Sequence, residues 1–257
     1  MLYVFDMDGV LFRMNDPLPF AAETIARLKY EGHSVYYLTN NSSKSRADYV
    51  TKLAGFGIET SEDCVMTSAF ATGKLFQQRR EIGKKVFVVG EVGLKTELSS
   101  VGMVVEEYDP NTEFDFVVAG WDRQFTYEKL SHAHFAIVAG AEFIATNRDA
   151  TYPDAEGRTL PGSGAIVAAI ETCSGVTPFT VGKPATFSLE LILEISGYSP
   201  DETIVVGDRL DTDIAIANAA NATSVLVLTG VSTADEATNA PEDWKPDFVI
   251  QDLSQIP

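Results

Sequence analysis

The feature that most constrains this chain is an alternation along its whole length. Short apolar runs, several of them continuous and rich in β-branched residues, are separated by longer stretches with helical spacing. Residues 2–5, 35–38, 86–89, 116–119, 143–145, 179–181, 203–206 and 224–228 read as strands. Residues 21–30, 44–54, 69–80, 93–100, 127–138, 164–173, 187–195 and 211–218 read as helices. Continuously apolar strands are those covered on both faces, and strand–helix alternation predicts an α/β fold with largely parallel sheets. The stretch 232–246 is richer in polar and turn residues and is expected to run over the surface before a last strand at 248–250. At 257 residues the chain has room for two domains, or one large one, at about 150 residues each.

Composition narrows the function. The charge balance is 19 − 37 = −18 and the pI is about 4.4, so nucleic acid and anionic membranes are repelled and neither is expected as a partner. No apolar run approaches the roughly 18–20 residues of a membrane span. Residues 1–9 lack a basic leader, and Asp6 and Asp8 fall where a signal peptide is apolar, so a cytoplasmic location is expected. Cys64 and Cys173 are far apart and lack CxxC spacing, which fits neither a disulfide framework nor a zinc site. Both are expected to be reduced, small core residues. His132 and His134, two apart on a helix, point to different faces and are expected to pack rather than to ligate.

In open α/β sheets ligands bind beyond the carboxyl ends of the strands. Four apolar runs are followed there by polar groups: Asp6-Met7-Asp8-Gly9, Thr39-Asn40-Asn41-Ser42-Ser43, Gly182-Lys183-Pro184, and Gly207-Asp208-Arg209 with Asp211 and Asp213 behind. Each has an ordinary reading alone: a solvated turn, an N-cap at Ser42 or Ser43, a turn, a strand exit. Together and in this order they describe chemistry. Asp6, Asp8 and Asp208, if they converge, repel one another unless a cation sits among them. A hard oxygen site with few protein ligands suits Mg²⁺. Lys183, Thr39 and Asn40 add an ammonium, a hydroxyl, an amide and N–H donors, which makes a receptor for a phosphoryl group. Gly9 and Gly207 allow close approach of the backbone. One carboxylate can then act as nucleophile, and a second as general acid and base.

These four stretches resemble the motifs of the haloacid dehalogenase superfamily, and more closely its subclass IIA phosphatases, the NagD-like and p-nitrophenylphosphatase-like group. The resemblance covers nearly the whole chain. It implies that Asp6 is the nucleophile and a magnesium ligand. Asp8 is then the acid–base, with its carbonyl on the metal. Thr39, Asn40 and Asn41 hold the phosphoryl group, and Lys183 orients Asp6 and neutralises the phosphate. Asp208 ligates the metal, and Asp213 supports it through water. An aspartate at position 8 favours phosphoryl transfer over dehalogenation.

Lys183 follows Thr39 by 183 − 39 = 144 positions, too many for one crossover helix. A domain is therefore inserted, over 81–178, with 1–80 and 179–257 forming the Rossmann-like core. In the group resembled this is a C2-type α/β cap that excludes water and contacts the leaving group. Asn147 and Asp149 are candidate substrate-facing residues, with Asx turns as the alternative. Trp121 is expected in the cap core, with stacking on a substrate ring as the alternative. Gly162-Ser163-Gly164 is expected to be a turn and N-cap, and without a following Lys-Ser or Lys-Thr it is no P-loop. The expected activity is Mg²⁺-dependent hydrolysis of small phosphate monoesters (sugar, glycerol, glycolate or nucleotide) through an aspartyl-phosphate. A phosphotransferase or mutase, or a non-catalytic phosphate-ester sensor, are the alternatives. Some members of the group dimerise through the cap, and a homodimer stays open on the sequence.

Overall fold

The computed structural model describes residues 1–153 and 158–256. The chain forms two compact units. The first comprises Met1–Thr39, Ala47–Met66 and Lys183–Pro257; the second comprises Asn40–Arg46 and Thr67–Gly182.

The first unit is built on a six-stranded sheet in the order Phe248–Ile250, Thr223–Val227, Thr203–Gly207, Leu2–Phe5, Ser34–Thr39, Val65–Thr67. Leu2–Phe5 pairs in parallel with Thr203–Gly207 on one side and with Ser34–Thr39 on the other. All four of its residues are buried, as a central strand covered on both faces requires. Its helix Ala21–Tyr30 buries Ile25 and Leu28 in a core shared with Tyr3, Phe5, Tyr37 and Val206. Each such fully buried side chain contributes about 1.5–3 kcal/mol.

The second unit has its own five-stranded parallel sheet, in the order Phe179–Thr180, Glu142–Ala145, Phe116–Ala119, Lys85–Val89, Val104–Glu106. Its helix Tyr127–Val138 starts at Thr126, whose hydroxyl accepts the Lys129 N–H at 3.2 Å. The helix Ser163–Ser174 stops at Gly175, which takes the left-handed conformation (φ 72°) that favours glycine. Both helices supply buried residues, Ala133 and Ile137 from one and Val167 and Ile170 from the other, to a core with Phe87, Val117 and Phe143. Among the described residues no helix is long and apolar enough to cross a membrane.

The α/β class and the parallel sheets follow the expected alternation. Four differences have local causes. The strands Val65–Thr67 and Val104–Glu106 and the hairpins Phe12–Arg13 with Asp16–Pro17 and Thr151–Pro153 with Thr159–Pro161 are too short for a period to show. The helix expected over 211–218 is a π-helical turn, Leu210–Ile214, followed by Ala215–Ala219; the Asp213 carboxylate takes the N–H groups of Asp208 and Arg209 there. The helix expected from 44 begins at Arg46, so neither Ser42 nor Ser43 caps it. Cys64 is half-buried against the core, but Cys173 is exposed, because its helix turns Ile166, Val167 and Ile170 inward instead.

Candidate active site

Sheet register places the site. Phe5 lies opposite both Val206 and Tyr37, and the Asp6 N–H continues the ladder to the Val206 carbonyl at 2.8 Å. The chain leaves the sheet after Phe5, Gly207 and Thr39 at one edge, so Asp6, Asp208 and the buried Thr39 gather there. Lys183 reaches the same point. Its Nζ donates to Asp6 Oδ1 at 2.5 Å, to Asp213 Oδ1 at 2.6 Å and to the Leu38 carbonyl at 3.4 Å. Asp213 accepts the N–H groups of Asp208 and Arg209 on its other oxygen, at 3.2 and 3.0 Å. Asp211 pairs instead with Arg209, at 2.9 Å, in a half-buried ion pair. Asp8 is half-buried in the turn after Asp6 and bridges to Phe12.

Asp6, Asp208 and Asp213 are buried, and one carboxylate oxygen from each lies within 4.8 Å of the others. Three carboxylates against one ammonium leave two negative charges out of water, which is costly without a further cation. Burial pushes the Asp6 carboxyl well above its ordinary range; Asp213 and Asp208 add to the rise, and Lys183 opposes it. Burial, then Asp213, pushes Asp208 up to about 7, against the Val231 N–H, Lys183 and Arg209. Lys183 moves the other way. Burial alone would lower its affinity for the proton, but the carboxylates of Asp213 and Asp6 raise it beyond its ordinary value. The all-oxygen donor set and the double charge deficit fit a hard divalent cation, Mg²⁺. Asp6 and Asp208 are the candidates to hold it. Asp213, whose two oxygens already serve Lys183 and the backbone, holds the others in place.

Glycines make this density possible. A Cβ on Gly207 would lie 2.5 Å from Asp213 Oδ2, so only glycine fits. Gly9 has φ 85°, in the left-handed region, and turns the chain after Asp8.

The remaining candidates lie in the second unit and hold one another. Asn147 is buried, and its amide is fully engaged. Nδ2 donates to the Asn40 carbonyl at 2.6 Å and to Thr146 Oγ1 at 3.3 Å; Oδ1 accepts the Asp149 N–H at 3.1 Å and the Ser163 hydroxyl. Asp149 accepts from Asn40 Nδ2 at 2.8 Å. Ser68 also donates to the Asn40 carbonyl, at 2.6 Å. Asn41 Oδ1 accepts both the N–H and the hydroxyl of Ser43. Ser42 Oγ accepts from Thr146 Oγ1 at 3.3 Å. The residue capping the helix Ser163–Ser174 is Gly162, with no side-chain bond; Ser163 serves Asn147 instead. Trp121 is only half-buried, its ring 4.7 Å from Tyr152 and 5.0 Å from the Arg123 guanidinium carbon, so it is no core aromatic. His132 stacks on Tyr108 at 4.2 Å.

The sequence pattern singles out neither Ser68 nor the stretch 229–231, and it marks Ser163 only as part of a turn and N-cap. For the two serines nothing local marks the role. For 229–231 a signal exists: Thr229 and Gly230 follow the apolar run 224–228, whose strand Thr223–Val227 lies in the same sheet as the strands that precede Asp6, Asn40 and Asp208.

The parallel sheet, with a lysine and three carboxylates at its carboxyl edge, defines a haloacid dehalogenase-type hydrolase. The chain matches the family model of haloacid dehalogenase-like hydrolases over residues 3–104 and an HAD-hydrolase-like model over 180–256, and it belongs to this family. It is 35% identical to the acid sugar phosphatase of Staphylococcus saprophyticus over 255 residues, 99% of this chain and 95% of that one. It superposes on p-nitrophenyl phosphatase from Archaeoglobus fulgidus with TM-score 0.90 and 34% identity, covering 98% and 96% of the two chains. It superposes equally, TM-score 0.90 and 33% identity, on the glycerol phosphate phosphatase of Mycobacterium tuberculosis in complex with magnesium, covering 98% of this chain and 75% of that one.

Proposed function

We propose that this protein is a Mg²⁺-dependent phosphatase of small sugar or polyol phosphate monoesters, and that the second unit, including the expected insert 81–178, is its C2-type cap. The observation that carries the reading is the buried trio Asp6, Asp208 and Asp213 joined to Lys183 at the strand ends. The names of the relatives support the ester class. The two cysteines, free of any disulfide, suit a reducing cytoplasm.

In this mechanism Asp6 attacks phosphorus in line. A bond forms between its carboxylate oxygen and phosphorus while the ester P–O bond breaks, and Asp8 gives its proton to the departing alcohol oxygen. Asp8, now a carboxylate, takes a proton from water. The hydroxide adds to phosphorus and Asp6 leaves as a carboxylate, with phosphate released. Lys183 holds Asp6 in its attacking orientation and meets charge on the phosphoryl oxygens, as Thr39 and the Asn40 loop do with hydrogen bonds. Mg²⁺, when bound by Asp6 and Asp208, supplies charge neutralisation at the phosphoryl group.

The test is phosphate release from a panel of sugar, glycerol and nucleotide monophosphates and p-nitrophenyl phosphate, with Mg²⁺ or EDTA. Release should require Mg²⁺ and vanish in Asp6→Asn. An Asp6→Asn protein with full activity would sink the mechanism. Phosphate passed to a sugar acceptor instead of water would make the protein a transferase.

A further inference from the structure

The strand Thr223–Val227 runs beside the strand carrying Asp208, with Gly207 opposite Leu226. The chain then turns through Leu228, Thr229, Gly230, Val231 and Ser232. None of these is charged, and none belongs to the four motif stretches. The loop nevertheless bonds in two directions. Toward Asp208, the Val231 N–H donates to Oδ2 at 2.8 Å and the Ser232 N–H to the Asp208 carbonyl at 2.9 Å. Ser232 Oγ also accepts the Leu210 N–H at 3.1 Å. Toward the Asp6–Gly9 turn, Thr229 Oγ1 donates to the Gly9 carbonyl at 2.7 Å, and Arg13 Nη2 donates to the Thr229 carbonyl at 2.7 Å.

Between these two sets of bonds sits Gly230. Space, not backbone conformation, makes this residue glycine: a Cβ there would land inside the Asp208 carboxylate. A Cβ on Gly9 would meet the same carboxylate and would lie 3.3 Å from Gly230 Cα. Backbone of the loop is thus packed directly on Asp208 and on the turn that carries Asp8.

We propose that residues 229–232 are a clasp that sets the spacing between the Asp208 carboxylate and the turn carrying Asp8, and that Thr229 is a positioning residue for the reaction. The inference rests on the reading of Asp208 as metal ligand and Asp8 as acid–base. Its chemistry is geometric. Asp8 stands on a turn ending at a left-handed glycine, and the Thr229 hydroxyl holds the carbonyl of that glycine. A misplacement of about 1 Å at a reacting group costs on the order of 100-fold in rate, so loss of one such bond should be visible in kcat.

The experiment uses the full chain and four variants. Thr229→Val keeps the shape and removes the donor, and Thr229→Ser keeps the donor. Gly230→Ala strikes Asp208. Thr238→Val removes a comparable hydroxyl, which donates to the Ala234 carbonyl at 2.8 Å on the exposed helix Ala234–Thr238, and serves as control. The readouts are kcat and KM for p-nitrophenyl phosphate at saturating Mg²⁺, and the Mg²⁺ half-saturation of the thermal shift. Thr229→Val should lose about 10–100-fold in kcat with KM and Mg²⁺ half-saturation within about twofold, and Thr229→Ser should recover most of it. Gly230→Ala should raise the Mg²⁺ half-saturation by about tenfold or more, as displacement of a metal-supporting group does. The proposal is overturned if Thr229→Val keeps the kcat of the control, if the valine and serine variants fall alike, or if Gly230→Ala takes Mg²⁺ as the parent does. Should Gly230→Ala not fold, the Thr229 pair decides. An active Asp6→Asn protein would defeat the catalytic reading, and the Mg²⁺ titration of Gly230→Ala would still judge the clasp.

Discussion

Lys183→Met is the sharpest perturbation of this site. Methionine matches the lysine stem in length and fills the same volume, so the change removes charge and leaves little cavity. Lys183 is 3% exposed and bonds Asp6 at 2.5 Å and Asp213 at 2.6 Å. With it the buried cluster carries three carboxylates and one ammonium, a net of −2; without it the net is −3. Breaking a buried ion pair by removing one partner costs about 3–5 kcal/mol. For a protein of this size that is a fall in Tm of about 6–20 °C, at about 2–4 °C per kcal/mol.

The loss should depend on pH. A carboxyl whose folded pKa is raised contributes stability that is present below its unfolded pKa and is lost as pH rises through the folded one. Without Lys183 the carboxyls of Asp6 and Asp208 are held higher still, so protonation at pH 5 relieves the repulsion and pH 8 exposes it in full. Thermal unfolding of parent and variant in EDTA at both pH values measures this. Mg²⁺ should raise the Tm of the variant more than that of the parent, because it meets the larger charge deficit. Activity should fall on the order of 10²–10³-fold. A variant within about 2 °C of the parent at pH 8 in EDTA would refute the charge argument, since the cost of an unpaired buried charge would then be missing.

Three further outcomes follow from the same geometry. The Asp208 carboxyl of the metal-free protein is raised from 3.8 to about 7, so protons compete with Mg²⁺ below about pH 7; the half-saturating Mg²⁺ concentration should rise as pH falls from 8 to 5, by thermal shift, while the metal-free Tm rises over the same interval. Gly207→Ala places its Cβ against Asp213 and should abolish Mg²⁺-dependent turnover and lower Tm, whereas alanine at the exposed Gly55 position, where a Cβ meets nothing within 4 Å, should leave both unchanged. Asn147→Ala leaves the Asn40 carbonyl and the Ser163 hydroxyl without their amide partner and should cost about 1–3 kcal/mol by denaturant unfolding, with Ser163→Ala at about 1 kcal/mol.

The α/β class and the charged edge of the sheet were legible because both rest on local pattern. Asp6 and Asp208 each stand directly after a largely buried strand of one sheet, beyond whose carboxyl ends ligands bind; Lys183 follows the short, partly exposed strand Phe179–Thr180 of the other sheet, and only its bonds to Asp6 and Asp213 bring it to the same place. What was hidden depends on partners distant in sequence. Asn147 reads as a polar loop residue until its amide is seen to hold a carbonyl 107 positions away. Ser163 looks like a cap beside two glycines, yet its hydroxyl bonds Asn147. Trp121 carries an apolar ring, and only tertiary contact shows it half-exposed beside Tyr152 and Arg123. The strand Val104–Glu106 spans three residues with no buried member, so no periodicity could announce it. At the π-helical turn Leu210–Ile214 the Asp213 carboxylate reaches back to the N–H groups of Asp208 and Arg209, just ahead of the turn, a side-chain contact that helical spacing does not announce.

Those exceptions share a physical sense. A sequence specifies a fold when propensity, patterning and polar satisfaction agree, and departures concentrate where function demands them. Three buried carboxylates within 4.8 Å of one another cost stability in a metal-free chain. Glycines at 207 and 230, where a Cβ would strike Asp213 or Asp208, give up side-chain packing. A π-helical turn replaces regular helix beside Lys183. Each of these three features is unfavourable on its own terms, and all occur at one edge of one sheet. A solvent-exposed acidic turn needs no glycine pressed against it and no lysine bonded to two of its carboxylates. The local sacrifice of stability therefore marks this sheet edge as the candidate reaction centre independently of any likeness to other proteins, and it accords with the proposed binding of an anion by a chain of net charge −18: an ammonium and a bound divalent cation would set the field there within a few ångströms, while charges farther than about 8 Å are screened by salt.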